Sequence, residues 1–160
     1  PTGKGASSIL DWLGDYKQPG RHWDVISFNF GHWDSQQTKE SYQKNLEIIV
    51  GELRKTGAKL IWVTTCPVPN GYPQASALTA TDKAPGRKAG VMKKYLNPWA
   101  HEVIKKYPEI SICDQWQYCK EHEQDSFKQW WIGKNVHFNQ ATGQQLGEFL
   151  ADHALRVWDK

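Results

Sequence analysis

The sequence predicts an α/β domain, with a parallel sheet covered by helices on both faces. Three observations carry this. Three short apolar runs, closed by Gly, Pro or Asp, read as buried strands. Segments with apolar residues at helical spacing alternate with them. A length of 160 residues is that of one domain able to bury its own core, so residues 1–160 are expected to form a single domain.

In order along the chain, SSILDWLG (7–14) is helix-like, with Ser7 and Ser8 its expected caps. WDVISFNFG (23–31) turns apolar after Asp24 and ends in Gly, and reads as the first strand. Residues 38–57 set Tyr42, Leu46, Ile49, Val50 and Leu53 on one helical face, with Gly57 where a helix is left. LIWVTT (60–65) is a second strand, halted by Pro67 and Pro69. Residues 70–86, rich in Pro, Gly, Ala, Ser and Thr, read as a long loop of the kind that often carries function. Residues 87–106 place Val91, Tyr95, Trp99 and Val103 at helical spacing, with Pro98 predicting a break. ISICD (110–114) is a third strand. The last helix spans about 141–157, with Leu146, Phe149, Leu150 and Val157 on one face and Asn139 as its cap.

Composition narrows the function. The net charge of +3 is mild and basic residues are interspersed with acids, so a nucleic-acid partner is not expected. No run approaches the roughly 18 apolar residues of a membrane span, so no membrane partner is expected either. Nine tryptophans are many for this length, and fit either a Trp-rich core or an aromatic-lined sugar cleft. Of the three cysteines, Cys113 and Cys119 are near enough in sequence to be bridged, and Cys66 reads as a buried thiol at a strand end. His22, His32, Asp34 and His137 lack the spacing of a metal motif, so neither metal nor cofactor is expected. GKGASS (3–8) follows no visible strand, which disfavours a phosphate loop. The sequence begins at Pro1 and holds one methionine, Met92, and is read as a processed product or a piece of something longer.

Ligands of open parallel sheets bind beyond the carboxyl ends of the strands. The segments to watch are therefore 29–36, 65–86, 114–119 and 133–140. The first holds Asn29-Phe30-Gly31-His32-Trp33-Asp34, which brings an imidazole and a carboxylate to a strand end. The last holds Asn135-Val136-His137-Phe138-Asn139 just before a helix.

These segments resemble the SGNH (GDSL-type) hydrolases, serine esterases on a flavodoxin-like sheet. The likeness rests on WDVISFNFGHWD (23–34), TGAKLIWVTTCPVP (56–69), Tyr95-Leu96-Asn97 and NVHFNQATGQQLGEFLADHAL (135–155), in this order. The GH-x-D form looks most like the branch that deacetylates plant polysaccharides. The resemblance implies a three-layer sandwich around a central parallel sheet whose first strand, with its GDS segment and nucleophilic Ser, has no counterpart in this sequence.

Carried over residue by residue, the resemblance implies His137 as the general base and the Gly5 N–H as an oxyanion donor, with Gly3 the alternative. Trp33 stands where the family has Asn, so Trp33 and Asn29 are the further oxyanion candidates. Gly31, His32 and Asp34 would line the site. Lys134 stands where an Asp would orient the His, and Asp34 or a backbone carbonyl is the candidate to do this instead. A hydroxyl needs a base to become a nucleophile, and a tetrahedral oxyanion needs preorganised donors. The expected function is therefore hydrolysis of acyl esters, acetyl above all, on a carbohydrate or small ester. Expected with it are a secreted or periplasmic location and a missing N-terminal segment, or a second chain, completing the sheet. The 160-residue chain alone is expected to be nearly inactive. The departures at Trp33 and Lys134 favour a rival reading, a non-catalytic SGNH-like module that binds glycan or acts as a scaffold.

Overall fold

The computed structural model describes residues 1–68, 92–122, 130–133 and 136–159. Helix α1 (Thr2–Leu13) comes first, followed by β1 (Val25–Phe28), α2 (Lys39–Arg54) and β2 (Lys59–Val63). A π-helical turn, Met92–Leu96, then leads into α3 (Asn97–Ile104). Next come β3 (Ser111–Cys113), α4 (Gln115–Glu121) and α5 (Gln140–Trp158). The strands form a parallel three-stranded sheet in the order β1-β2-β3. In register, Phe28 lies opposite Trp62, and Val63 opposite Cys113. The α/β expectation therefore holds at this level.

The side-chain alternation of a strand decides which helices cover which face. Leu60 and Trp62 of β2 point with Phe28 into a core shared with α1, α2 and α3, where the Phe28 and Trp62 rings meet edge to face at 5.3 Å. Ile61 and Val63 point the other way, with Cys113, beneath Phe149, Leu150, Ala154 and Val157 of α5. On α2, Tyr42, Leu46, Ile49 and Val50 are fully buried, each aliphatic among them contributing about 1.5–3 kcal/mol. Thr38 caps α2 by accepting from the Ser41 N–H at 3.1 Å.

Four tryptophans (Trp62, Trp99, Trp130 and Trp131) are buried, as the core reading expected, while Trp12, Trp23, Trp33 and Trp158 are exposed. One expectation needs correction. Ser7 and Ser8 do not cap a helix, because α1 already begins at Thr2; Ser7 Oγ donates to Lys4 O from within it. At Pro98, where the sequence predicts a break or kink, the π-turn gives way to α3, and the proline sits in the first turn of that helix, where a missing N–H costs nothing. Cys113 and Cys119, near enough in sequence to be bridged, are not bridged in the structure. All three cysteines are free thiols, and Cys113 packs under α5 while Cys119 sits beside Cys66.

Helix α1 runs antiparallel to β1. Its first residue bonds to Asp34, beyond the carboxyl end of β1, and its last, Leu13, accepts from the Trp23 indole N–H, just before β1 begins. Among the described residues, the outer edge of β1 has no neighbour in the sheet. An apolar groove of about 490 Å³ follows that edge, walled by Ile9, Leu13, Phe28, Ile49 and Leu53, with Trp12 and Trp23 at its rim.

Candidate functional site

The segments leaving the three strands meet at the carboxyl edge of the sheet. There they enclose a cleft of about 350 Å³, to which β1 contributes Asn29 and His32, β2 contributes Thr65 and Cys66, and α4 contributes Gln115. Val136 and Phe138 close the remaining side.

The floor is the extended chain after β2, and it is tied down on every side. Asn29 Nδ2 donates to Val63 O at 2.7 Å and to Thr65 Oγ1 at 2.8 Å. Asn97, from the segment quoted for the resemblance, clamps the Thr65 backbone twice, accepting from its N–H and donating to its carbonyl, each at 2.9 Å. Thr64 Oγ1 donates to Asp114 at 2.8 Å and accepts from the Trp116 N–H at 2.9 Å. Gly31 is required here by close approach: a Cβ at this position would lie 1.9 Å from Thr65 Oγ1. Behind it, the buried Tyr42 hydroxyl donates to Phe30 O at 2.8 Å, and burial holds this phenol well above its usual pKa.

Asp34 is buried and does not line the cleft. One carboxylate oxygen accepts from the Thr2 N–H at 2.7 Å and from the Thr2 hydroxyl at 2.6 Å, so Asp34 serves as a remote N-terminal anchor of α1. Burial raises its pKa, and the two Thr2 bonds only partly offset this. Its other oxygen is buried without a hydrogen-bond partner among the described residues. The expectation that Asp34 lines the site and orients His137 is thereby corrected: helix α1 has taken this carboxylate.

His137 sits in a short antiparallel turn. Its carbonyl accepts from the Ile132 N–H at 2.9 Å, and the Asn139 N–H donates to Trp130 O at 2.8 Å. The Trp131 and Phe138 rings stack at 5.4 Å. Val136 and Phe138 line the cleft, whereas His137, between them, is exposed and is not among the residues lining it. Asn139 caps α5, accepting from the Thr142 N–H at 3.0 Å. Lys134 and the 70–86 loop lie outside the described residues.

Of the oxyanion candidates, the Gly5 N–H is a helix bond to Pro1 O at 3.0 Å, and both amide hydrogens of Asn29 are used on the β2 exit. Gly5 has a packing job instead, since a Cβ there would meet Phe30 at 2.6 Å and Ile49 at 2.7 Å. Trp33 is 64% exposed on a 3-10 turn (His32–Asp34) next to the cleft. No tryptophan is among the described residues lining the cleft. The sequence reading missed Gln115, whose side chain joins Leu146 O on α5 (3.0 Å) to the Cys66 thiol (3.7 Å); only its place after the third strand pointed to it. It also missed a Ser–His contact, Ser111 Oγ with His153 Nε2 at 2.7 Å, at the start of β3 rather than at the cleft.

Among the described residues, no group of three or more His, Cys, Asp or Glu side chains is placed to hold a metal, and no helix is long and apolar enough to cross a membrane. Comparison of the chain with protein-family models, with curated proteins and with solved structures finds no match.

Proposed function

We propose that the chain is the larger part of an SGNH-type serine esterase that removes acyl groups, acetyl above all, from a carbohydrate or small ester. One observation carries the reading: the exits of all three strands and the turn bearing His137 converge on a single cleft at the carboxyl edge of a parallel sheet. In this reading a Ser hydroxyl from a segment outside the 160 residues attacks the ester carbonyl, and the His137 imidazole takes its proton. The imidazolium returns the proton to the leaving sugar oxygen, and water then repeats the cycle on the acyl-enzyme. Trp33 is the proposed indole donor to the oxyanion, because the N–H groups of Gly5 and Asn29 are already committed. A polysaccharide substrate would place the protein outside the cytoplasm, secreted or periplasmic.

The fold supports a location for the absent nucleophile. In a β-α-β unit the crossover helix runs antiparallel to both strands. Helix α1 has this direction relative to β1, and it begins beside the carboxyl end of β1. A strand leading into Pro1 would therefore lie parallel to β1, along its unpaired edge and in the apolar groove walled by Ile9, Leu13 and Phe28. Its last residues would reach the cleft near Asn29 and His32, and the unpartnered oxygen of Asp34 would be available to a donor on it. The test compares release of acetate from p-nitrophenyl acetate and from an acetylated oligosaccharide by the 160-residue chain and by the chain extended at Pro1 with its natural upstream sequence. Activity in the extended form alone supports the proposal.

A second reading, a glycan-binding or scaffold module without turnover, is favoured by the committed Gly5 and Asn29 donors. It predicts that the extended form binds the same oligosaccharide and leaves its acetyl groups in place.

A further inference from the structure

Three cysteines sit in the carboxyl half of the sheet and its surroundings, and two of them, Cys66 and Cys119, belong to one packed cluster. Cys66 ends the β2 exit on the cleft floor. Gln115 accepts from its thiol at 3.7 Å, and Cys119 lies one helical turn further along α4 on that same face. Cys66 and Cys119 share one packed cluster with Trp130, Trp131 and Leu146. Cys113 belongs to the opposite face of the sheet, under α5.

We propose that Cys66 and Cys119 are a disulfide site, formed as the chain folds under oxidising conditions and pinning the cleft floor to α4, with Cys113 left as a thiol. The oxidant is a small-molecule disulfide such as glutathione disulfide. One cysteine thiolate attacks it, releasing one glutathione and leaving a mixed disulfide; the other then attacks that protein sulfur and releases the second glutathione. The two thiol hydrogens leave with the two glutathiones, and the electron pair reduces the oxidant. Once folded, both thiols are buried, and the neighbouring Cys119 thiol together with burial holds Cys66 well above its usual pKa. Thiolate is then scarce, so the bond is made during folding rather than on the finished fold. The inference does not rest on the esterase reading.

The test refolds the reduced 160-residue chain in a reduced and oxidised glutathione buffer, alkylates it before and after denaturation, and maps the peptides. The expected product is lighter by two hydrogens and joins the Cys66 and Cys119 peptides. Cys113 is alkylated only after denaturation, and the urea midpoint is higher than that of the reduced chain. Cys113→Ala retains the bridge, whereas Cys66→Ala and Cys119→Ala lose it. A bridge involving Cys113, or three alkylatable thiols after refolding, overturns the proposal; the mapping of the parent chain decides it even if a variant fails to fold.

Discussion

Replacing Gly31 with Ala is the sharpest perturbation of the cleft floor. The added Cβ lies 1.9 Å from Thr65 Oγ1 and 2.6 Å from both Thr65 Cβ and Cγ2, so something must move. Gly31 has φ −163°, outside the left-handed region that favours glycine, and the cost worked here is the steric one. Thr65 is poorly placed to yield, because Asn97 holds its backbone at both N–H and carbonyl and Asn29 donates to its hydroxyl. Rotating the hydroxyl away gives up the Asn29 bond, about 0.5–1.5 kcal/mol. The remaining overlap with Thr65 Cβ forces a backbone shift, costing about 1–3 kcal/mol for an overpacked site. Together these predict a loss of about 2–4 kcal/mol, or about 1–2 M in urea midpoint at ordinary slopes. The assay is equilibrium urea unfolding of the parent and Gly31→Ala, repeated in a Thr65→Gly background where the Cβ finds room. The reasoning is refuted if Gly31→Ala lies within about 0.5 kcal/mol of the parent, or if its cost is the same in both backgrounds.

Two further predictions concern helix α1. Gly5→Ala would press a methyl against Phe30 and Ile49 at 2.6 and 2.7 Å and is expected to cost about 1–3 kcal/mol by urea unfolding; an unchanged midpoint would show that α1 is not packed as closely as described. Asp34 holds its proton more tightly folded than unfolded, because burial raises its pKa above 3.8. Its contribution to stability is therefore greatest below 3.8, declines as pH rises through the raised folded value, and is level above it. Asp34→Asn should remove that decline from urea midpoints measured between about pH 3 and pH 6. An identical pH dependence in parent and variant would contradict the assignment.

What could be read in the sequence follows from the range of the interactions. The runs at 25–28, 59–63 and 111–113 announce strands because burial on both faces demands apolar residues throughout. The face of α2 is legible because Tyr42, Leu46, Ile49 and Leu53 repeat at the helical period. The start of α1 was misplaced because its anchor is not a neighbour: Asp34 reaches Thr2 across 32 positions, and TGKGASS has little helix propensity of its own. The same long-range contact hid the role of Asp34, which nearby His32 made look like a site residue. Which cysteines are neighbours is not legible for a related reason. Cys113 and Cys119 are close in sequence, but one lies on a strand and the other on the next helix, packed into different clusters, while Cys66 comes from the neighbouring strand. The cleft's location was legible from topology alone. The use of Asn29 and Gly5 was not, because which N–H groups remain available depends on where the partner carbonyls and hydroxyl lie.

The most direct test of the central claim is acetate release by the chain extended at Pro1 with its natural upstream sequence, measured for the parent and for His137→Ala. If His137 is the base at this cleft, the variant keeps its fold by circular dichroism and loses about 10²–10⁴-fold in rate. Hydrolysis at the parent rate in His137→Ala, or equal turnover by the 160-residue chain without any added segment, would contradict the account.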